Sequence, residues 1–122
     1  RLKKGGETML RSIELFSGTG GLALGLHQAG FSPAALLEWD KNSCDNIKAN
    51  ISKGFKGIAD WNVVQTDVRL VRYTDFGLDI QFVTGGPPCQ PFSLGGKHKA
   101  HADTRDMFPE AVRAVREIRP QN

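Results

Sequence analysis

Two stretches of this 122-residue chain carry residue types that do chemistry. The first is Gly86-Pro87-Pro88-Cys89-Gln90-Pro91-Phe92-Ser93, which sets a thiol among three prolines. Cysteines kept for packing sit among apolar neighbours inside an element, as Cys44 does beside Ile47 and Ile51. Cys89 instead has prolines on one side and a glutamine on the other. Fixed φ angles at Pro87, Pro88 and Pro91 hold the sulfur in place, which a nucleophile requires, and a nearby positive field favours its thiolate. The second stretch, Gly18-Thr19-Gly20-Gly21-Leu22-Ala23, fits the G-x-G-x-x-G/A pattern, and acidic Glu38 follows twenty residues after Gly18. Glycines let a backbone approach a ligand closely, and a carboxylate at the next strand end accepts hydrogen bonds from ribose hydroxyls. Trp39 offers a ring for stacking on adenine, and Asp67 an acceptor for its amino group. A tight turn that binds nothing would use the same glycines. On these residues alone, a nicotinamide or flavin dinucleotide and S-adenosylmethionine are equally admissible ligands.

The elements that must position these groups follow from periodicity. Ser12–Phe16 reads as a short strand, after which Leu22, Leu26 and Ala29 share one helical face and Gly30 suits a left-handed cap. Ala34–Trp39 is an apolar run of buried-strand length; Cys44, Ile47 and Ile51 then recur at helical spacing, with Asp40 as N-cap. Residues 52–62 read as loop, Val63-Val64-Gln65 as a third strand, and Asp79–Thr84 as a fourth that the following prolines break. Residues 92–105 are polar, basic and Gly-rich, a loop of lid length, with Lys97, His98, Lys99, His101 and Arg105 placed to meet phosphates. Phe108, Ala111, Val112, Val115 and Ile118 trace a final amphipathic helix, with Pro109 in its first turn and Pro120 at its end, and Glu110 and Glu117 on its solvent side. Strands alternating with helices predict an α/β fold with an open, mostly parallel sheet whose strand C-termini carry the site. Residues 1–9, basic and without period, are expected to be a flexible tail or cloning remnant, and 10–122 the domain.

Composition sets the outer bounds. Apolar residues make up 39% and charged residues 24%, which favours a folded globular domain over disorder. A net charge of +3 permits a polyanionic partner without requiring one. No apolar run reaches the ~20 residues of a membrane span, and no apolar signal region follows the basic N-terminus. Two distant cysteines form no disulfide framework, which predicts a reducing compartment. His98-x-x-His101 lacks further ligands at zinc spacing, so no metal is expected.

Residues 10–120 resemble the N-terminal part of a cytosine-5 DNA methyltransferase. Ile13 to Leu22 is similar to that family's first motif, Glu38-Trp39-Asp40 to its second and Thr66-Asp67-Val68 to its third. Gly85 to Ser93 resembles its catalytic proline-cysteine-glutamine motif, and Asp103 to Phe108 the segment after its mobile loop. The resemblance implies a Rossmann-like, S-adenosylmethionine-dependent methyltransferase sheet, incomplete at its C-terminus, in a bacterial or phage protein of the cytoplasm, of the restriction–modification type. It implies Cys89 as the nucleophile that adds to carbon 6 of a flipped-out cytosine before carbon 5 is methylated. It implies cofactor contacts from Phe16, Gly18, Gly20, Gly21, Leu22, Glu38, Trp39, Asp67 and Val68, and contacts to double-stranded DNA from Pro88, Gln90, Ser93, Lys97 and Arg105. It further implies that a C-terminal portion or partner subunit supplies a glutamate at ring nitrogen 3, an arginine motif and target recognition, so that this chain alone is inactive. A cofactor- or DNA-binding module without turnover is the alternative.

Overall fold

The computed structural model describes residues 2–4, 7–77, 79–86 and 107–120. Five strands and three helices follow in the order β1 (Leu2–Lys4), β2 (Glu7–Leu15), α1 (Gly21–Gln28), β3 (Phe31–Glu38), α2 (Lys41–Ser52), β4 (Val63–Gln65), β5 (Phe82–Gly85) and α3 (Phe108–Ile118). Two 3₁₀ turns, Val68–Leu70 and Tyr73–Phe76, fill the path between β4 and β5. Strands β4, β3, β2 and β5 lie side by side in that order, and each pairs in parallel with its neighbour. The α/β class and parallel sheet expected from the sequence are therefore observed. The chain runs outward from β2 through β3 to β4, then returns to place β5 on the opposite side of β2. Ligands of open α/β sheets bind where strand order reverses in this way.

Side-chain alternation sorts the core into two layers. Ile13, Leu15, Ala35 and Leu37 pack with Val68, Tyr73 and Ile80 against Ala114 and Ile118 of α3. On the other face Leu36 packs with Ala23 of α1, Ile47 of α2, Ile58 and Trp61. Helices thus cover both faces of the sheet, which explains why Ala34 to Leu37 of β3 read as a continuous apolar run.

The structure departs from the sequence expectations in several places, the strand expected over Asp79–Thr84 among them, which is observed as Phe82–Gly85. Residues 2–4 and 7–9, expected to lie in a tail, form β1 and the start of β2, paired antiparallel from Leu2↔Met9 to Lys4↔Glu7. Strand β3 begins at Phe31, ahead of Pro33, because the register shifts there: Ser12 faces Pro33 while Ile13 faces Ala35, leaving Ala34 as the extra residue of a bulge. A bulge is where a strand tolerates a residue without an N–H. In α1 the buried residue is Ala23, whereas Leu22 and Ala29 of the expected stripe are exposed. A Cβ on Gly20 would already sit 3.3 Å from Ile47 Cγ1, so the turn approaches α2 closely and the small Ala23 faces inward. In α3 Ala114 and Ile118 are buried, while Phe108, Val112 and Val115 are 55%, 45% and 48% exposed.

The rotation of α3 has a cause in charge. Arg113 Nη2 donates to Val68 O at 2.8 Å and Nη1 to Val71 O at 3.0 Å; Nη1 also pairs with Glu117 at 2.7 Å and Nε with Glu110 at 2.8 Å. Its guanidinium lies 5.0 Å from the centre of the Tyr73 ring, and Glu117 accepts from the Tyr73 amide at 3.3 Å. Glu110 and Glu117, expected to face solvent, are half-buried partners of this arginine. One side chain therefore ties α3 to the segment that follows β4. Arg113→Ala should cost about 2–3 kcal/mol in a urea titration, because two carbonyls and two carboxylates lose their donor together. Arg113→Lys should recover only part of it, since an ammonium lacks the fork that reaches both carbonyls. An unchanged midpoint in Arg113→Ala would contradict this role.

Candidate cofactor and nucleophile site

Every described residue assigned to cofactor contact lies at the C-terminal ends of β2, β3 and β4. β2 ends at Leu15, and the next residue, Phe16, takes a positive φ of 56° that is costly outside glycine. Ser17 N then donates to Leu37 O at 3.0 Å, and Gly20 N to Ser17 O at 3.1 Å, folding the glycine turn back over the strand ends. Gly18 and Gly20 adopt φ of 58° and 94°, where a side chain is strained, so the glycines of this motif are required by the turn itself.

Glu38 closes the arrangement. Its Oε1 accepts from Gly18 N and its Oε2 from Asp40 N, both at 2.7 Å. The carboxylate expected to meet ribose hydroxyls is thus also the brace of the glycine turn. Each oxygen keeps a further lone pair for a ligand hydroxyl. Asp40 caps α2, accepting from Ser43 N at 2.8 Å and Ser43 Oγ at 2.9 Å. Cys44 is buried in the first turn of that helix and its thiol faces Glu38 O at 3.6 Å; burial raises its pKa. It is a core cysteine, as its apolar spacing indicates.

Trp39 projects from the rim with 63% of its surface exposed. Thr66 N donates to Glu38 O at 2.9 Å and carries Asp67 to the same rim. Arg69 holds both Asp67 oxygens, through Nε at 3.0 and 2.9 Å and Nη2 at 2.7 Å, and this pairing depresses the Asp67 pKa. Val68, next in the chain, is buried in the core. Leu22 is exposed beside the turn.

At the reversal point between β2 and β5 lies a pocket of about 260 Å³, lined by Leu15, Phe16, Val83, Thr84 and Gly85 with Ala111 and Val115 of α3. A Cβ at Gly85 would come 2.3 Å from Leu15 O, so only glycine lets β5 end so close to β2. The proline-cysteine loop leaves from this strand end in sequence. Pro88, Cys89, Gln90, Ser93, Lys97 and Arg105 lie outside the described residues, as does the stretch 92–105 that the sequence marks as a lid.

Sequence reading overlooked two groups at this rim. Ser17 is 7% exposed and its Oγ has no hydrogen-bond partner among the described residues, an orphan hydroxyl beside the glycine turn. Arg69 escaped notice because one basic residue two positions after an aspartate carries no pattern. Glycine amides, a braced carboxylate, an exposed indole, an aspartate and an orphan hydroxyl on one rim suit a nucleoside bearing a charged tail. Among the described residues no group of three or more His, Cys, Asp or Glu is placed to hold a metal, and no helix is long and apolar enough to cross a membrane.

Comparison with known proteins points the same way. The model of the family described as C-5 cytosine-specific DNA methylase matches residues 10–122. The type II methyltransferase M.NgoMIV of Neisseria gonorrhoeae is 42% identical over 111 residues, which cover 90% of this chain and 33% of that protein. M.PspPI of a Psychrobacter species is 43% identical over 110 residues, 89% of this chain and 25% of its own length. The chain therefore spans a quarter to a third of these relatives. Among solved structures, a prophage-encoded DNA modification methyltransferase of E. coli superposes with a TM-score of 0.67 at 32% identity, over 91% of this chain and 30% of that one.

Proposed function

The chain belongs to the C-5 cytosine-specific DNA methylase family, and on that premise we propose that it forms the cofactor-binding and nucleophile-bearing part of an enzyme that methylates carbon 5 of cytosine in DNA. The observation that carries this reading is the juxtaposition of Glu38, Trp39 and Asp67 at the adjacent ends of β3 and β4, parallel, across β2, to the strand β5 that leads in sequence into the Cys89 motif. S-adenosyl-L-methionine, when bound, supplies a methyl group activated on a sulfonium sulfur. Glu38 takes the ribose hydroxyls, the Trp39 face takes the adenine ring and Asp67 accepts from its amino group. The amides of Gly18, Gly20 and Gly21, with Ser17, meet the polar tail, and Phe16, Leu22 and Val68 border the rings.

Cys89 serves as the nucleophile. Its thiolate forms a bond to carbon 6 of cytosine, which turns carbon 5 into an enamine carbon able to take the methyl group. Loss of the proton from carbon 5 then expels the thiolate and restores the ring. The target carbon lies inside the stacked duplex, so the base must leave the stack at a cost of a few kcal/mol. Pro88, Gln90 and Ser93 would border the flipped base, and Lys97 and Arg105 meet phosphates. The remaining length of the relatives supplies the acid at ring nitrogen 3 and the recognition of target DNA. Such an enzyme works where bacterial DNA is, in the cytoplasm.

Isothermal titration with S-adenosyl-L-methionine and with NAD tests the cofactor assignment. Binding of the first and not the second is expected, and Glu38→Ala should weaken it by about 1–3 kcal/mol, the scale for losing a charged hydrogen-bond partner. Preference for NAD, or affinity untouched by Glu38→Ala, would overturn it.

A further inference from the structure

Arg69 makes two contacts at once on the rim. Its guanidinium is clamped to both oxygens of Asp67, at 2.7 to 3.0 Å, and its central carbon stands 5.9 Å from the centre of the Trp39 ring. Its own amide also donates to Asp67 Oδ1 at 2.9 Å, which fixes the turn from which the side chain departs. The same flat cation thus occupies the Trp39 face and the Asp67 acceptors together.

We propose that Arg69 is the gate of the adenine subsite: it takes the space between Trp39 and Asp67 that an adenine ring would enter, and it must swing aside for the cofactor to bind. This rests on the cofactor reading above. An adenine that lies on the Trp39 ring and donates its amino group to Asp67 needs both groups that the guanidinium holds. Arg69 has room to leave, because its side chain is 46% exposed, whereas that of Asp67 is only 13% exposed and stays in place. Opening exchanges an ion pair for a hydrogen bond from an uncharged donor, so Arg69 sets affinity by competition. The competition is ionic and is screened by salt. Arg69 is a positioning residue here, touching the site without touching the reacting atoms.

The test compares the chain with Arg69→Ala and Arg69→Gln, titrated with S-adenosyl-L-methionine at low and high salt and followed by heat and by Trp39 fluorescence. Both substitutions lie on an exposed turn and leave the core intact. The variants are expected to bind on the order of three- to tenfold tighter at low salt, the combined scale of an exposed ion pair and a cation–π contact. Raising salt should narrow that difference, because it weakens the closed pair in the parent alone. Even without cofactor, Trp39 emission should shift in both variants. Equal or weaker binding by the variants, with the parent still binding, would overturn the gate and leave the cofactor site standing. Failure of all three proteins to bind would overturn the cofactor reading, and the gate with it. Binding by the variants and not by the parent would support the gate in its strongest form.

Discussion

With S-adenosyl-L-methionine and duplex DNA carrying 5-fluorocytosine, a covalent protein–DNA complex should form only when the rest of a relative-length chain is supplied, and should vanish in Cys89→Ser. The fluorine makes the test decisive: after thiol addition and methylation, carbon 5 carries no proton to lose, so the adduct is permanent. Attack at carbon 6 drives electron density onto ring nitrogen 3, and a donor placed there is commonly worth ~10²–10⁴-fold. The two carboxyls of α3 do not provide it, since Glu110 and Glu117 are both engaged by Arg113. A complex formed by these 122 residues with no addition would refute the proposed division of labour. One that persists in Cys89→Ser would refute the nucleophile.

Glu14→Gln should stabilise the fold by about 3 kcal/mol at pH 8 and by less than about 1 kcal/mol at pH 5. Glu14 sits one residue before the end of β2, 2% exposed, with Leu36 of β3 and Thr84 of β5 as its neighbours in register. Its Oε2 has no hydrogen-bond partner among the described residues, and burial pushes its pKa from 4.5 up to about 7. The sign follows from the protons bound. Between those two values the folded chain holds a proton that the unfolded chain has lost, so rising pH favours unfolding. The penalty is absent below pH 4.5, grows across the interval and is complete above 7. Gln copies the protonated acid and never pays it. Urea titrations of both proteins at pH 5 and 8 measure the difference, and a gap that does not change with pH would show that Glu14 stays ionised at no cost.

Much of the site was legible before any fold was known, because its chemistry lies in short contiguous runs. Gly18 and Gly20 need positive φ, Asp40 caps the helix it precedes, Glu38 ends β3 with Trp39 directly after it, and Asp67 comes two residues after β4. Local pattern also separated Cys44, at helical spacing among apolar residues, from Cys89 among prolines. The parallel sheet followed from the alternation of elements, for which few topologies exist.

What the sequence could not determine was orientation and partnership, which depend on residues far apart in the chain. Which stripe of α3 is buried was decided by Arg113 reaching carbonyls more than forty positions away, so Ala114 and Ile118 turned inward while Val112 and Val115 stayed exposed. Strand β3 could start before Pro33 only because it takes up a bulge at Ala34 against β2. Glu14 reads in sequence as the polar residue of an alternating strand, and only helices covering both sheet faces make it a buried acid. Arg69 is one basic residue among sixteen until the fold brings β3 and β4 side by side and sets it between Trp39 and Asp67. Residue types and short spacings determine which chemistry is available to this protein; long-range contacts decide which of those groups are free to perform it.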